Sequence, residues 1–288
     1  MSTSSRAAHV GQQIRTGAGH GASRARKPAF YFLTVAFVAF LLFALGETVA
    51  MVVTAWLGGY AFPTHRVHHI MIGGTLAVFV ATVAVQLYRP TTRVGALQAA
   101  LAFVVAAFAL TAIASGLAAA GEVLVFVVPV VLIALLHPAR GELLARLEGV
   151  DRRALAVAGV GAIGFAALAA TEFVNHTTLA DEHVALGHYE FMLFGLVSIG
   201  LFGLLGALKP TGWRIPLYAA GVLALLFAAS SLAFPGVEQG SSLGTVGAIA
   251  VILWAIALIG ISEYVERSDS SEPAGRRRVV ALNARRDE

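Results

Sequence analysis

Cysteine is absent from this chain of 288 residues, and charged residues are scarce. Without cysteine there are no disulfides, thiolate metal sites, iron–sulfur clusters or thiol nucleophiles. Charged residues make up 12% of the chain, whereas a soluble domain carries roughly 25%. The sequence also contains no phosphate-binding loop, nucleotide fingerprint or nucleophile triad. These absences exclude thiol chemistry and give no support to a nucleotide-dependent enzyme.

Long apolar segments dominate what is present. Hydrophobic residues make up 58% of the chain, and the mean hydropathy is +0.81. A transmembrane helix needs about 20 consecutive apolar residues, and such runs recur between polar or Gly/Pro breaks. The sequence therefore predicts an all-α, polytopic membrane protein. Its eight predicted transmembrane helices cover approximately 29–57, 66–87, 94–117, 122–137, 153–176, 184–207, 214–234 and 243–263.

Lysine and arginine are unevenly distributed among the predicted loops. Of the 20 basic residues, all except Arg66 fall in the two tails or beside the loops that follow the second, fourth and sixth spans, with Arg146 in the middle one. Because basic loops face the cytoplasm, we predict a multi-pass plasma-membrane protein with both termini cytoplasmic. The formal charge of +4 then reflects loops beside an anionic leaflet, and no nucleic acid is expected as a partner. The lipid bilayer is the expected partner, and a membrane or cytoplasmic protein partner is left open.

The two halves of the chain resemble each other. A shift of 120 residues aligns His68 with His188, and a shift of 125 aligns Glu47 with Glu172. We interpret this as two tandem four-helix repeats, which an even number of spans would relate by a pseudo-two-fold axis along the membrane normal. The predicted divisions are a disordered basic cytoplasmic tail (1–28), repeat one (29–137), a cytoplasmic linker (138–151), repeat two (152–263) and a disordered cytoplasmic tail (264–288).

Histidines and glutamates gather at the ends of spans that are predicted to lie outside. His65, His68 and His69 have the spacing of one helical face. Ionisable groups in spanning helices cost about 2.5–3.5 kcal/mol each on insertion scales, so they are functional candidates by default. The candidate metal ligands are Glu47, His65, His68, His69, Glu172, His176 and His188, with Asp181, Glu182, His183 and Glu190 as weaker candidates that belong to an outer shell or a solvated loop.

Imidazoles and carboxylates without thiolates suit a divalent transition metal: Zn, Fe, Mn or Cu. Packing about the predicted axis would bring Glu47, His68, Glu172 and His188 together, so that each half supplies one acid and one imidazole. We then expect His68 and His188 to be essential for metal binding and His183 to be dispensable. The alternative is a site within one half, built from Glu172, His176 and His188.

A duplicated eight-span protein with histidines near its outer helix ends also resembles the haem A synthase family. That family places haem-ligating histidines on the second and fourth helix of each half and a carboxylate near the first. The resemblance implies that His68 and His188 bind haem and that Glu47 and Glu172 are the matching carboxylates. The segments AAGEVLVFVVP and GSSLGTVGAIAV, at the family's remaining ligand positions, contain no histidine.

Three functional hypotheses remain open at this point. The first is a membrane protein with an outer-face His/Glu metal or haem site between two four-helix halves, in metal handling or redox chemistry. The second is a transporter or permease that uses Glu47 and Glu172 as proton or cation carriers. The third is a non-catalytic membrane subunit that docks a partner through its basic inner loops. The sequence does not decide whether the protein is an enzyme.

Overall fold

The computed structural model describes residues 3–144, 150–236, 238 and 240–271, with side chains from residue 25 to residue 268. The regular structure of these residues is helical. Its α-helices are α1 (Thr3–Thr54), α2 (Arg66–Ala84), α3 (Val94–Ala114), α4 (Leu117–Leu136), α5 (Arg152–Thr178), α6 (Glu182–Ala185), α7 (His188–Ala207), α8 (Arg214–Ala233) and α9 (Gly244–Ser271).

Eight helical segments are long and apolar enough to cross a membrane. They are Ala25–Thr54, Pro63–Leu87, Val94–Ala114, Leu117–Leu136, Arg152–Thr178, His188–Ala207, Arg214–Ala233 and Gly244–Ser268. The predicted all-helical, multi-pass architecture is thus confirmed, and the boundaries shift by only a few residues at most ends. The remaining α-helix, α6, is too short to cross a membrane and forms a single turn between α5 and α7.

The predicted division at residue 28 falls inside a helix. α1 begins at Thr3 and passes through Pro28 without a break. The limits of the tails, repeats and linker stay predictions. Arg146 in the predicted linker, and the part of the C-terminal tail from residue 272 onward, lie outside the described residues.

Four helices form the centre of the bundle and four surround it. In the most apolar window of each span, 67% of α2 and 67% of α7 is buried, against 22% of α1 and 17% of α9. α2 and α3 each pack against both α7 and α8. α1 packs on α2 and α4, and α5 packs on α7 and α9. The peripheral helices expose large apolar side chains, such as Phe43 and Val160, as expected of surfaces that face lipid.

The two ends of the bundle carry different chemistry. At one end the loop before α3 meets the loop before α8, where the Gly95 amide donates to the Thr211 carbonyl at 2.8 Å. In these two loops Arg89 and Lys209 both adopt left-handed backbone angles, with φ of 50° and 51°. The other end, where α2 and α7 begin, holds the histidines, and we call it the histidine end.

Candidate metal centre

Five histidines converge at the histidine end from three short stretches of chain. His65 closes a 3-10 turn that starts at Pro63, and His68 and His69 follow in the first turn of α2. The other two, His183 in α6 and His188 at the start of α7, come from the second half of the chain. The proline favours the start of the first turn. Gly187, with φ of 71°, supplies the left-handed residue that sets the direction of α7.

The five imidazole rings pack directly against one another. The ring centroid of His65 lies 4.6 Å from that of His183 and 4.7 Å from that of His188. His65, His183 and His188 each offer a ligand atom within 4.8 Å of the others. The His68 ring contacts His183 at 4.8 Å and stacks on His188 at 5.2 Å. This is a geometry that could hold one metal ion.

The cluster is largely removed from solvent. His68 is fully buried, and His65, His69 and His188 expose 5% or less of their surface. His183 is the most accessible, with 12% of its side chain exposed. Buried polar groups normally have hydrogen-bond partners, so each ring nitrogen must be accounted for.

A chain of hydrogen bonds holds the His188 ring. Its Nε2 atom lies 3.1 Å from Nε2 of His69, and Nδ1 of His69 lies 2.5 Å from the Tyr60 hydroxyl. Burial raises the pKa of Tyr60, and the neighbouring Arg66 opposes that rise, so the hydroxyl stays protonated at neutral pH. If His188 donates to His69 and His69 donates to Tyr60, Nδ1 of His188 keeps a free lone pair.

A second chain holds the His68 ring. Its Nε2 atom lies 2.7 Å from the Ser241 hydroxyl, which donates to the Glu172 carboxylate at 2.8 Å. Because the hydroxyl donates to the carboxylate, it accepts from Nε2 of His68, and the lone pair of His68 is then on Nδ1. Ser241 thus connects the loop before α9 with α5 and α2.

Carboxylates face the two remaining rings. The Asp181 carboxylate lies 3.9 Å from Nδ1 of His183, and the Glu182 carboxylate lies 3.6 Å from Nε2 of His65. Burial acts to raise the pKa of Asp181, but hydrogen bonds from the Val184 amide and the Tyr189 hydroxyl, with His183 nearby, lower it overall. Asp181 is therefore ionised at neutral pH and suited to orient an imidazole.

Four of the five rings have a buried nitrogen without a hydrogen-bond partner among the described residues. These nitrogens are His65 Nδ1, His68 Nδ1, His183 Nε2 and His188 Nδ1. On His68 and His188 the other ring nitrogen is held by a hydrogen bond, which is the pattern of metal-binding histidines, with one nitrogen fixed by an outer partner and the other left for the ion. Nε2 of His65 makes no hydrogen bond and only faces the carboxylate of Glu182, as Nδ1 of His183 faces that of Asp181.

The remaining predicted ligands divide into three groups. Glu172 joins the cluster indirectly, through Ser241. His176 instead lies 3.2 Å from the Ser115 hydroxyl and 3.9 Å from the Glu190 carboxylate, in a separate polar group. Glu47 is exposed on α1, and no hydrogen bond or ion pair within the described part of the chain involves it.

The set of residues that the structure brings together therefore differs in part from the set predicted from the sequence. His68 and His188 do come together, but the expected pair of acids does not accompany them as neighbours. His183, expected to be dispensable, lies in ring contact with His65, His68 and His188. The anchors Tyr60 and Ser241 were not anticipated from the sequence. For His183, the one signal in the sequence is Asp181, a residue type that favours the start of a helix and so indicates that the segment before α7 is structured.

Comparison with protein-family models, with curated proteins and with solved structures finds no match for this chain.

Proposed function

We propose that this protein is a metal-binding membrane protein in which His65, His183 and His188 hold one divalent transition-metal ion. The observation that carries the proposal is the cluster itself: three largely buried imidazoles present ligand atoms within 4.8 Å of one another, and each of them has a buried nitrogen without a hydrogen-bond partner among the described residues. Leaving such groups buried without a partner costs about 1–3 kcal/mol each. A bound ion would satisfy all three at once.

Three imidazoles favour zinc or copper within the predicted set of metals. Nitrogen ligands suit Zn, Cu and Fe better than Mn, which prefers oxygen. Around Zn²⁺, with Zn–N of about 2.0–2.1 Å, tetrahedral ligands lie roughly 3.3 Å apart. The three ligand atoms would therefore approach one another by up to about 1.5 Å on binding. Three protein ligands leave the fourth position open, as in catalytic zinc sites, and His68 would stand beside it.

A bare ion fits this cluster better than haem does. A haem would have to lie between its two ligating rings, but the His68 and His188 rings stack on each other at 5.2 Å. His183 contacts both of them from the side. Binding of haem would require these rings to separate, whereas binding of a bare ion requires only that the ligand atoms move closer together.

We also propose that the centre lies between two tandem four-helix repeats, at the outer face of the plasma membrane. The helix pairs support the repeat: α1 with α2 corresponds to α5 with α7, and α3 with α4 corresponds to α8 with α9. The left-handed residues Arg89 and Lys209, which are 120 positions apart, also correspond. The distribution of Lys and Arg supports the orientation, since Arg66 alone falls at the histidine end.

The alternative functions have less support. A carrier mechanism needs Glu47 and Glu172 to share a pathway, but Glu47 is exposed on α1 whereas Glu172 is buried beside Ser241. A docking subunit has no need for a buried cluster of histidines in which His68 and His188 are each held by a chain of hydrogen bonds. Handling of a metal, or chemistry at it, therefore remains the best-supported function.

The test is metal analysis of the purified protein in lipid nanodiscs. We expect about one Zn²⁺ or Cu²⁺ per chain, and we expect His183→Ala and His188→Ala each to abolish binding because each removes one of three ligands. His176→Ala is the matched control: this histidine lies at the same end but pairs with Ser115 and Glu190. Full metal content in both His183→Ala and His188→Ala would exclude the centre, as would loss of metal in His176→Ala alone.

A further inference from the structure

An apolar cavity lies in the bundle beneath the histidines. Its volume is about 110 Å³. The lining side chains come from α1, α2, α3, α4 and α7, and all are hydrocarbon: among them are Leu76, Phe79, Phe103, Ala107, Phe191 and Phe194. An apolar cavity of about 150 Å³ in a soluble protein stays dry and binds benzene, so this space suits a hydrocarbon group rather than water.

The cavity begins directly below the proposed metal site. Phe191 and Phe194 follow His188 by three and six residues on α7, which places them about 4.5 and 9 Å further into the bundle. On α2, Leu76 follows His69 by seven residues, two turns or about 10.5 Å deeper on the same face. The helices that present the histidines thus also line the cavity.

A polar group without a partner lies at the depth of the cavity, about 10.5 Å below His68. Thr75, seven residues after His68, exposes 4% of its surface, and its hydroxyl has no hydrogen-bond partner among the described residues. Across from it is Gly195, where an added Cβ would lie 3.0 Å from the Thr75 hydroxyl. The absence of a side chain at Gly195 leaves that hydroxyl facing backbone.

One side chain of the cavity lining also reaches the surface of the bundle. Phe191, in its lining, is 40% exposed, on a segment apolar enough to lie inside a bilayer. A molecule dissolved in the membrane could enter sideways here. A water-soluble substrate would gain nothing from an all-hydrocarbon chamber at this depth.

We infer that the metal centre serves a lipid-soluble substrate with one linear hydrocarbon chain, which lies in this cavity while its polar end group reaches the open position on the metal. The inference rests on the proposed metal site. The chain runs from the histidine level down past Phe191 and Phe194 toward Phe79.

The test uses two metal-binding probes that differ only in chain length, acetohydroxamic and hexanehydroxamic acid, added to Co²⁺-loaded protein in nanodiscs. Binding is followed by the visible absorption of Co²⁺. Ala107→Phe fills the cavity, and Ala109→Phe makes the same change on the exposed side of α3. We expect Ala107→Phe to weaken the long probe by about tenfold or more, the range of overpacking effects, and to leave the short probe unchanged. Ala109→Phe should behave as wild type.

The outcomes separate the two proposals. Equal affinity for the long probe in wild type and Ala107→Phe, with Co²⁺ bound normally, overturns the lipid substrate and leaves the metal site intact. Failure of wild type to take up Co²⁺ overturns both. Should Ala107→Phe itself lose Co²⁺, Ala107→Leu provides the smaller filling substitution, and the same comparison decides.

Discussion

At the residue scale, the orientation of an imidazole depends on what holds the nitrogen that does not bind the metal. Of the five rings at the histidine end, His68 and His188 are held by hydrogen bonds, and His65 and His183 face carboxylates. The His188 ring is hydrogen-bonded to a second imidazole, which contacts a phenol, and the His68 ring is hydrogen-bonded to a serine, which contacts a buried carboxylate. The His65 and His183 rings face acidic side chains near the surface. The supports of His188 and His68 are hydrogen-bond chains, so a substitution that deletes a single hydroxyl group can break either one.

Tyr60→Phe tests the longest of these chains. It removes only the hydroxyl that meets Nδ1 of His69 and leaves the ring contacts with Phe62 and His69 in place. We expect metal affinity to fall by about tenfold, the low end of the 10–100-fold cost of losing an outer partner of a ligating histidine, because Tyr60 supports His188 only through His69. Isothermal titration with Zn²⁺ measures it. Tyr31→Phe, on α1 beside Phe30, is the control and should bind as wild type; an equal loss in both variants would contradict the role of the chain.

At the element scale, the close approach of α1 to α2 positions three of the five histidines. Gly73 lies one turn after His69, and an added Cβ there would be 2.5 Å from the Val52 amide nitrogen and 2.9 Å from the Thr48 carbonyl oxygen. These are backbone atoms, which cannot rotate away. Small residues at such crossings let transmembrane helices pack closely, so α2 can lie against α1 only because this position has no side chain.

Gly73→Ala should therefore separate the two helices. We expect a destabilisation of about 1–3 kcal/mol, typical of overpacking, seen as a lower midpoint of thermal unfolding in detergent. Gly46→Ala, on α1, is the matched control because nothing lies within 4 Å of the added Cβ. It should keep or raise the midpoint, since alanine favours helix by about 1 kcal/mol over glycine. A midpoint unchanged in Gly73→Ala would show that the crossing is looser than described.

At the scale of the whole molecule, the proposed site depends on which side of the membrane the histidine end faces. A reporter fused after Thr178, between α5 and α6, should read as external, and one fused after Leu208, before α8, as cytoplasmic. The reason is that basic residues concentrate at the end that holds Arg89 and Lys209. A cytoplasmic signal after Thr178 would contradict the orientation and expose the metal site to the cytosolic metal pool instead.

The sequence alone predicted the eight spans, because a helix that crosses a bilayer needs a long apolar run and such a run is a local property. It also predicted that His65, His68 and His69 share a face, since their spacing is local too. It did not predict that His183 lies among the other imidazoles, because nothing in the sequence near that residue indicates that α6 turns its ring toward α2. Ser241 is equally unpredictable: its partners Glu172 and His68 are 69 and 173 residues away.

Apolar length and histidine spacing therefore determined the class of this protein and the end at which its polar groups collect. Tertiary packing decided which of those groups meet. The rotation of each helix about its own axis leaves Glu47 exposed on α1 and turns Glu172 inward on α5, although both occupy similar places in the sequence pattern. That rotation follows from side-chain packing against neighbouring helices, such as Trp254 against Phe165 and Val157. Those contacts join residues distant in the chain, and no local pattern encodes them.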